Sequence, residues 1–343
     1  LVVSANPNAW AGWYPHARLV KPGEDLPEAG GWDDIIIENS TPALLERCAE
    51  QLNIGGCVFL IGDPAEDGYV SLDVGAVHYQ NKRYYGGVSM EDIAARCRRQ
   101  DLLPGGASLF IGAGGPMGQM HVQRAIEKQN TSSRVVATDL DRGRLNHIER
   151  RFGTLARQRG VEFITLCPAD FASPEAYDQK VRELGGPGGY DDVCVLVPVP
   201  ALVRQAIDLA GDHALANLFA GIPTGTRAHV LLSRLCKGVK MVGTSGSRIS
   251  DLRRILSLVE AGELDTNRSV AAIGGLEAAH DGLRAVKEAR FPGKTVIYPQ
   301  ISGLPLMTLE EVAVRFPSVG AKMSAEGSWT VEAEAQLLEE LLP

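Results

Sequence analysis

The 343-residue sequence has no basic block, no Cys-x-x-Cys pair and no apolar run approaching the roughly 20 residues that span a bilayer. Each absence excludes a class. A net charge of −8 without clustered Lys or Arg argues against a polyanion partner, so no nucleic acid is expected, and the missing apolar run argues against a membrane partner. Six cysteines, Cys48, Cys57, Cys97, Cys167, Cys194 and Cys236, lie far apart and mostly within apolar strand or helix patterns. They read as buried, reduced thiols of a cytoplasmic protein. The seven histidines are scattered without ligand spacing, so no zinc ligands are evident, and neither a Ser/His/Asp order nor a Walker turn is present. An initiator methionine and a signal-like segment are also lacking at Leu1, and a chain that begins partway through something larger is expected.

What is present is organised around Ala107-Ser-Leu-Phe-Ile-Gly-Ala-Gly-Gly-Pro-Met-Gly118, an apolar strand, a glycine-rich turn and then a helical pattern over Gln119 to Lys128. Gly112, Gly114, Gly115 and Gly118 leave no Cβ in the way of a pyrophosphate, which the positive end of a helix dipole would face. Ala113 stands where the first glycine of the usual motif falls. The following strand, Arg134-Val-Val-Ala-Thr-Asp139, places Asp139 about 20 residues on, where a carboxylate bonds a ribose hydroxyl and disfavours a 2′-phosphate. NAD(H) is therefore expected over NADP(H).

Strand and helix signals alternate along the chain, which predicts an α/β fold with a doubly wound parallel sheet. The second half repeats the first. Gly30-Gly-Trp-Asp-Asp-Ile-Ile-Ile37 matches Gly188-Gly-Tyr-Asp-Asp-Val-Cys-Val195, and Pro42-Ala-Leu44 matches Pro200-Ala-Leu202, at an offset of 158. Beyond one inserted residue Gly62, Pro64, Gly87 and Asp92 match Gly221, Pro223, Gly246 and Asp251. Two tandem Rossmann-like units follow: residues 1–103 and 104–298, with a C-terminal extension over 299–343 that ends in an amphipathic helix. Aligned backwards, Leu1 to Asn6 falls on Arg134 to Asp139, so the first unit is expected to lack its first strand and glycine turn. An upstream segment or partner chain, in a homo-oligomer for instance, would then complete it.

Side chains for proton chemistry are sparse. His78, Tyr79 and Lys82 are weak catalytic candidates at a strand edge, the Tyr-to-Lys spacing being one residue short of a Tyr-x-x-x-Lys pair. His121 and His147 fall on helices and read as surface residues; Asp33-Asp34 and Asp191-Asp192 read as turn and cap residues.

Ile111-Gly-Ala-Gly-Gly-Pro-Met-Gly118, Tyr190-Asp-Asp-Val193, Leu218-Phe-Ala-Gly221, Val242-Gly-Thr-Ser-Gly246 with Asp251, Gly293-Lys-Thr-Val-Ile-Tyr298 and Trp329-Thr-Val-Glu-Ala-Glu-Ala335 together resemble the zinc-type medium-chain dehydrogenases over about residues 105 to 340. The resemblance implies a cofactor site at Gly112, Gly114, Gly115, Pro116, Met117, Gly118, Asp139, Pro198, Val199, Ala220, Gly221, Thr244, Ser245 and Gly246. It implies hydride transfer with a small-molecule substrate, a polyol or sugar-phosphate alcohol or ketone. In that family the catalytic zinc sits in a separate barrel-like domain, which has no counterpart in this sequence. A non-catalytic nucleotide-binding or assembly protein derived from such a dehydrogenase is the alternative.

Overall fold

Short apolar runs bounded by Gly and Pro form the strands, and most of the amphipathic runs between them form helices. In chain order the strands are β1 (Val2–Val3), β2 (Leu19–Val20), β3 (Trp32–Glu38), β4 (Leu52–Ile61), β5 (Tyr69–Asp73), β6 (Arg83–Gly87), β7 (Ala107–Ile111) and β8 (Arg134–Thr138). They continue as β9 (Glu162–Leu166), β10 (Tyr190–Val195), β11 (Ala210–Leu218), β12 (Arg227–Leu231), β13 (Lys240–Val242), β14 (Val270–Gly275), β15 (Lys294–Tyr298) and β16 (Met307–Thr308). The structure is a computed structural model and describes residues 1–26, 31–128 and 130–342, so Gly30 of the repeat lies outside the described residues. The chain forms two compact units: Leu1–Ile111, Thr131–Val136 and Phe171–Gly246 make the first; Gly112–Asn130, Ala137–Asp170 and Ser247–Pro343 make the second.

In the first unit the sheet runs β2-β1-β3-β4-β6-β13-β11-β10-β7, followed by the start of β8. The β1–β3, β3–β4 and β4–β6 pairs are parallel, as are β7–β10, β10–β11 and β11–β13. Between these halves β6 and β13 meet antiparallel through Tyr84 and Met241. Strands covered on both faces need apolar side chains on both, which is why Ile35 to Ile37 and Val193 to Val195 are continuous and buried. The two halves carry like elements at like spacing. Starts at Trp32, Pro42, Leu52, Tyr69 and Val74 recur 158 positions on, at Tyr190, Pro200, Ala210, Arg227 and Leu232. The strands β5 and β12 pair antiparallel with each other, and Ser71 faces His229, 158 positions on. A Cβ on Gly86 would fall 1.8 Å from Leu235 O, and one on Gly243 would fall 3.1 Å from His78 Cα. Glycine at both places lets each half's strand lie against the other half's short helix.

Three expectations change. The first half does not lack a strand beside β3, because β1 pairs there as β7 pairs beside β10. Val2–Val3 therefore stands in the place of Ala107–Ile111, and Asn6 is not the counterpart of Asp139. Local apolar pattern makes any two short strands alignable, whereas the hydrogen-bond partner decides the place. The glycine turn is absent, a 3₁₀ turn over Pro7–Trp10 following instead. The aspartate pairs lie inside β3 and β10, not in turns. His78 lies buried in a short helix, Val74–Tyr79, and not at a strand edge.

The second unit holds helices Pro116–Glu127 and Arg142–Arg159, the end of β8, β9, and a small sheet ordered β15-β14-β16. Its core gathers Ile273, Tyr298, Ile301, Leu309, Val312 and Trp329, onto which the terminal helix Val331–Leu341 docks through Ala333 and Leu337. Trp329 Nε1 donates to the Tyr298 hydroxyl at 3.1 Å, so its one polar atom is satisfied. Among the described residues no helix is long and apolar enough to cross a membrane. All six cysteines are free, five of them buried and Cys97 half-buried.

Candidate nucleotide site

In the second unit the turn that follows β7 begins at Gly112, whose φ of +80° glycine takes without strain. The N–H groups of Gly112 and Ala113 both donate to Thr138 O, at 2.8 and 2.9 Å, and fasten the turn to the end of β8. Because Gly112 supplies the left-handed bend, Ala113 is accommodated beside it, fully buried. Gly114 N donates to Asp139 Oδ2 at 2.8 Å, so turn and acid form one piece.

The remaining glycines have separate roles. A Cβ on Gly114 would fall 2.8 Å from the Asp139 carboxyl carbon, and one on Gly118 would fall 2.4 Å from Ala113 O. Both positions are closed by the protein itself. At Gly115 nothing lies within 4 Å of where a Cβ would point. Gly115 is also the N-cap of helix Pro116–Glu127, and no side chain caps it. The first N–H groups of a helix have no partner within it and carry the positive end of its dipole. An uncapped end, opening on free space and flanked by a carboxylate, is the arrangement that receives a pyrophosphate and a ribose. These observations fit a dinucleotide.

Neighbouring side chains hold this geometry. Asp139 Oδ1 accepts from Asp141 N at 3.0 Å. The Arg144 guanidinium donates to Ala289 O at 3.0 Å and lies 3.5 Å from Asp141. Gln119, buried, donates to Gly114 O at 3.2 Å and to Pro292 O. Sequence reasoning passed over Gln119, since a polar residue in the first helical turn is an ordinary sight.

The other candidates belong to the first unit. Pro198 and Val199 follow β10, Val199 being exposed. The N–H groups of Phe219 and Ala220 both donate to Val195 O, at 3.1 and 2.9 Å, which folds the chain sharply after β11. A Cβ on Gly221 would lie 2.9 Å from the Tyr79 hydroxyl. Thr244, Ser245 and Gly246, exposed, follow β13, and Gly246 has a φ of +78°. All seven residues stand beyond the carboxyl ends of parallel strands, where open α/β sheets bind ligands.

The proton-transfer candidates separate. The His78 ring lies against Tyr79 and Phe219, and its Nδ1 is 3.1 Å from Leu218 O, a satisfied core histidine. Lys82 Nζ reaches Ala49 O at 3.5 Å, and burial lowers its pKa. Tyr79 alone presents its hydroxyl to the end of β11. His121 and His147 are half-buried, not at the surface; burial lowers both, His147 to about 4, with Arg151 and Arg150 contributing.

The first unit also has a cavity of about 390 Å³ lined by Tyr85, Cys97, Arg99, His213 and Lys240. Its cations are committed: Lys240 Nζ donates to Cys97 O and Arg99 O at 2.5 and 2.7 Å, and Arg99 pairs with buried Asp192. Asp192 also accepts from Leu103 N at 2.8 Å, and Asp191 accepts from Ala107 N at 2.8 Å, so this acid pair anchors the segment leading into β7. Among the described residues no group of three or more His, Cys, Asp or Glu is gathered closely enough to hold a metal ion.

No protein-family model matches the chain. It is 30% identical over 247 residues to mannitol-1-phosphate 5-dehydrogenase of Aliivibrio fischeri, covering 68% of this chain and 57% of that protein. It is 29% identical over 239 residues to L-sorbose 1-phosphate reductase of Klebsiella pneumoniae, covering 68% and 55%. The chain thus spans a little over half the length of these relatives. Among solved structures, 2R,3R-butanediol dehydrogenase from Bacillus subtilis is similar at 19% identity and a TM-score of 0.45, covering 62% of this chain and 58% of that one.

Proposed function

We propose that the chain, similar over about two thirds of its length to a mannitol-1-phosphate 5-dehydrogenase and an L-sorbose 1-phosphate reductase, belongs with the zinc-type medium-chain dehydrogenases/reductases, binds NAD(H) and takes part in hydride transfer to or from a small polyol or sugar-phosphate substrate. The observation that carries the reading is the uncapped helix end at Gly115, open on one side and joined to Asp139 through Gly114. When bound, the nicotinamide supplies the hydride chemistry. The chain's own part is to hold and orient: the turn from Gly112 to Gly118 receives the pyrophosphate, and Asp139 accepts from the ribose hydroxyls. Within the first unit, Pro198, Val199, Ala220, Gly221 and Thr244 to Gly246, beyond the carboxyl ends of parallel strands, are further candidates for cofactor contact. The Asp139 carboxylate repels a 2′-phosphate.

The described residues offer no donor set that fits a catalytic zinc. Zinc ligands would come from a further segment or a partner chain. We read the first unit as built from two copies of one α/β motif, a reading supported by element starts 158 positions apart and by the facing of Ser71 with His229. The copy without a glycine turn is structural. A second reading, nucleotide binding without turnover, draws on the engagement of His78 and Lys82 by backbone carbonyls.

Fluorescence titration with NADH and NADPH tests binding. Asp139→Ala is expected to weaken NADH by roughly 10-fold and NADPH by less; an unchanged preference removes Asp139 from the site. Loss of NADH absorbance on adding a ketose phosphate separates the dehydrogenase from the binding-only reading.

A further inference from the structure

Lys240, in the first unit, opens β13 at the amino end of the parallel set β10, β11 and β13, the end opposite to Thr244, Ser245 and Gly246. It is only 8% exposed, and among the described residues no carboxylate pairs with it. A lysine buried without a counter-ion is uncommon. An ammonium has three N–H groups to place, whereas a neutral amine has two and a lone pair. The structure supplies two acceptors, Cys97 O at 2.5 Å and Arg99 O at 2.7 Å, both just past the end of helix Met90–Arg96. The face of the Tyr85 ring stands 5.2 Å from the nitrogen, beyond hydrogen-bond length. The inventory matches the neutral amine: both N–H groups are placed, and the third tetrahedral direction is left to the lone pair. Burial lowers the Lys240 pKa in the same sense, with Arg99 and Arg83 adding to the effect and Cys97 and Cys57 opposing it.

Lys240 and the three residues around its nitrogen, Tyr85, Cys97 and Arg99, all line the cavity of about 390 Å³, so the amine sits where a small molecule can enter. Asp191, Asp212 and His213 line it as well, and carboxylates there suit hydroxyl groups. A desolvated lysine amine is a nucleophile toward carbonyl carbon. We propose that Lys240 captures a small hydroxylated aldehyde or ketone in this cavity as a Schiff base. The amine lone pair forms a bond to the carbonyl carbon, the C=O π pair moves to oxygen, and one nitrogen proton is transferred to that oxygen. The carbinolamine then loses its hydroxyl as water together with the second nitrogen proton, and a C=N bond remains. Nothing is oxidised or reduced. His213 is the acid available in the same cavity to assist the departing hydroxyl. Once protonated, the Schiff base keeps one N–H for one of the two backbone carbonyls.

Treating the full chain with glyceraldehyde and sodium cyanoborohydride tests this, because reduction fixes amine adducts and leaves a thiol adduct, such as one at Cys97, free to reverse. Intact mass gives the stoichiometry and peptide mapping gives the position. One adduct per chain is expected to form at Lys240 about 10-fold or more faster than at the exposed Lys21, Lys180 and Lys237, since each unit of lowered pKa raises the amine fraction about tenfold. Lys240→Arg keeps donors for both carbonyls, and should remove the fast adduct while the exposed lysines label as before. Circular dichroism checks that this variant is folded, and the map of the wild type decides by itself whatever the variant's stability. Wild-type labelling of Lys240 no faster than that of the exposed lysines, or a folded Lys240→Arg chain that still gains the fast adduct, would each overturn the proposal.

Discussion

Gly115 and Gly118 sit three residues apart in one turn, yet the structure assigns them opposite vulnerabilities. A valine side chain at Gly115 meets no protein atom within 4 Å of its Cβ, and the backbone there has a φ of −77°, which any residue adopts. The cost of Gly115→Val to folding is therefore the poorer N-cap, about 0.5–1 kcal/mol. Its cost to binding is steric, since the branched side chain fills the space over the uncapped helix end, and an NADH affinity lower by roughly 100-fold is expected. At Gly118 a single methyl would lie 2.4 Å from Ala113 O and 2.5 Å from Ala113 Cα. The turn must shift or the helix retreat, at about 1–3 kcal/mol, which lowers the melting temperature by roughly 2–12 °C. Thermal unfolding and NADH titration on both variants separate the two effects. If Gly115→Val binds NADH like the wild type, the open face is not where the pyrophosphate lies. If Gly118→Ala melts with the wild type, the close packing of turn and helix is wrong.

Other consequences follow from buried charge. Asp192→Ala removes the carboxylate partner of Arg99 and the acceptor of Leu103 N, and leaves the half-buried guanidinium with backbone carbonyls alone. A loss of about 2–4 kcal/mol is expected in denaturant unfolding, and a loss below that of an ordinary surface substitution would refute the anchor. His147 is held neutral in the folded state, with a pKa of about 4 against 6.5 unfolded. Its contribution is fully present above pH 6.5 and is lost as pH falls toward 4, because the unfolded chain takes up the proton first. After discounting for partial exposure the span is roughly 1–3 kcal/mol. His147→Gln should flatten the stability profile across that range, and an unchanged profile would remove His147 as its source.

Much of the candidate site's geometry was legible because its physics is local. A strand, a turn that needs glycine and a helix start are contiguous, and Asp139 follows at the end of the next strand, so the spacing alone brought together what Gly114 N and Asp139 Oδ2 now join at 2.8 Å. Even the departure at Ala113 is explained locally, with Gly112 taking the positive φ. His78 was misplaced because Val77-His-Tyr79 has the apolar alternation of a strand edge. Its short helix is capped by Asp73 Oδ1 accepting from Ala76 N at 3.0 Å, and its ring is held at Leu218 O, 140 positions away. Asp191 and Asp192 looked like turn residues, since acids before an apolar run usually are. Their partners, Arg99, Leu103 and Ala107, lie more than 80 positions earlier.

The repeat at 158 positions was in the residues themselves, as were the strand-turn-helix and its acid, because glycine, proline and apolar period act within a few residues of where they stand. Which strand lies beside which was not. That β1 fills the place next to β3, and that β6 and β13 join two parallel sets by one antiparallel pair, depends on partners chosen between distant segments once apolar faces are buried. An apolar stripe on helix Ile249–Glu260 shows the same division. Its amphipathic pattern is written in the sequence, but only the packing of the folded chain decided that Ile255 and Leu258 turn inward and that Leu252 and Leu256 remain uncovered.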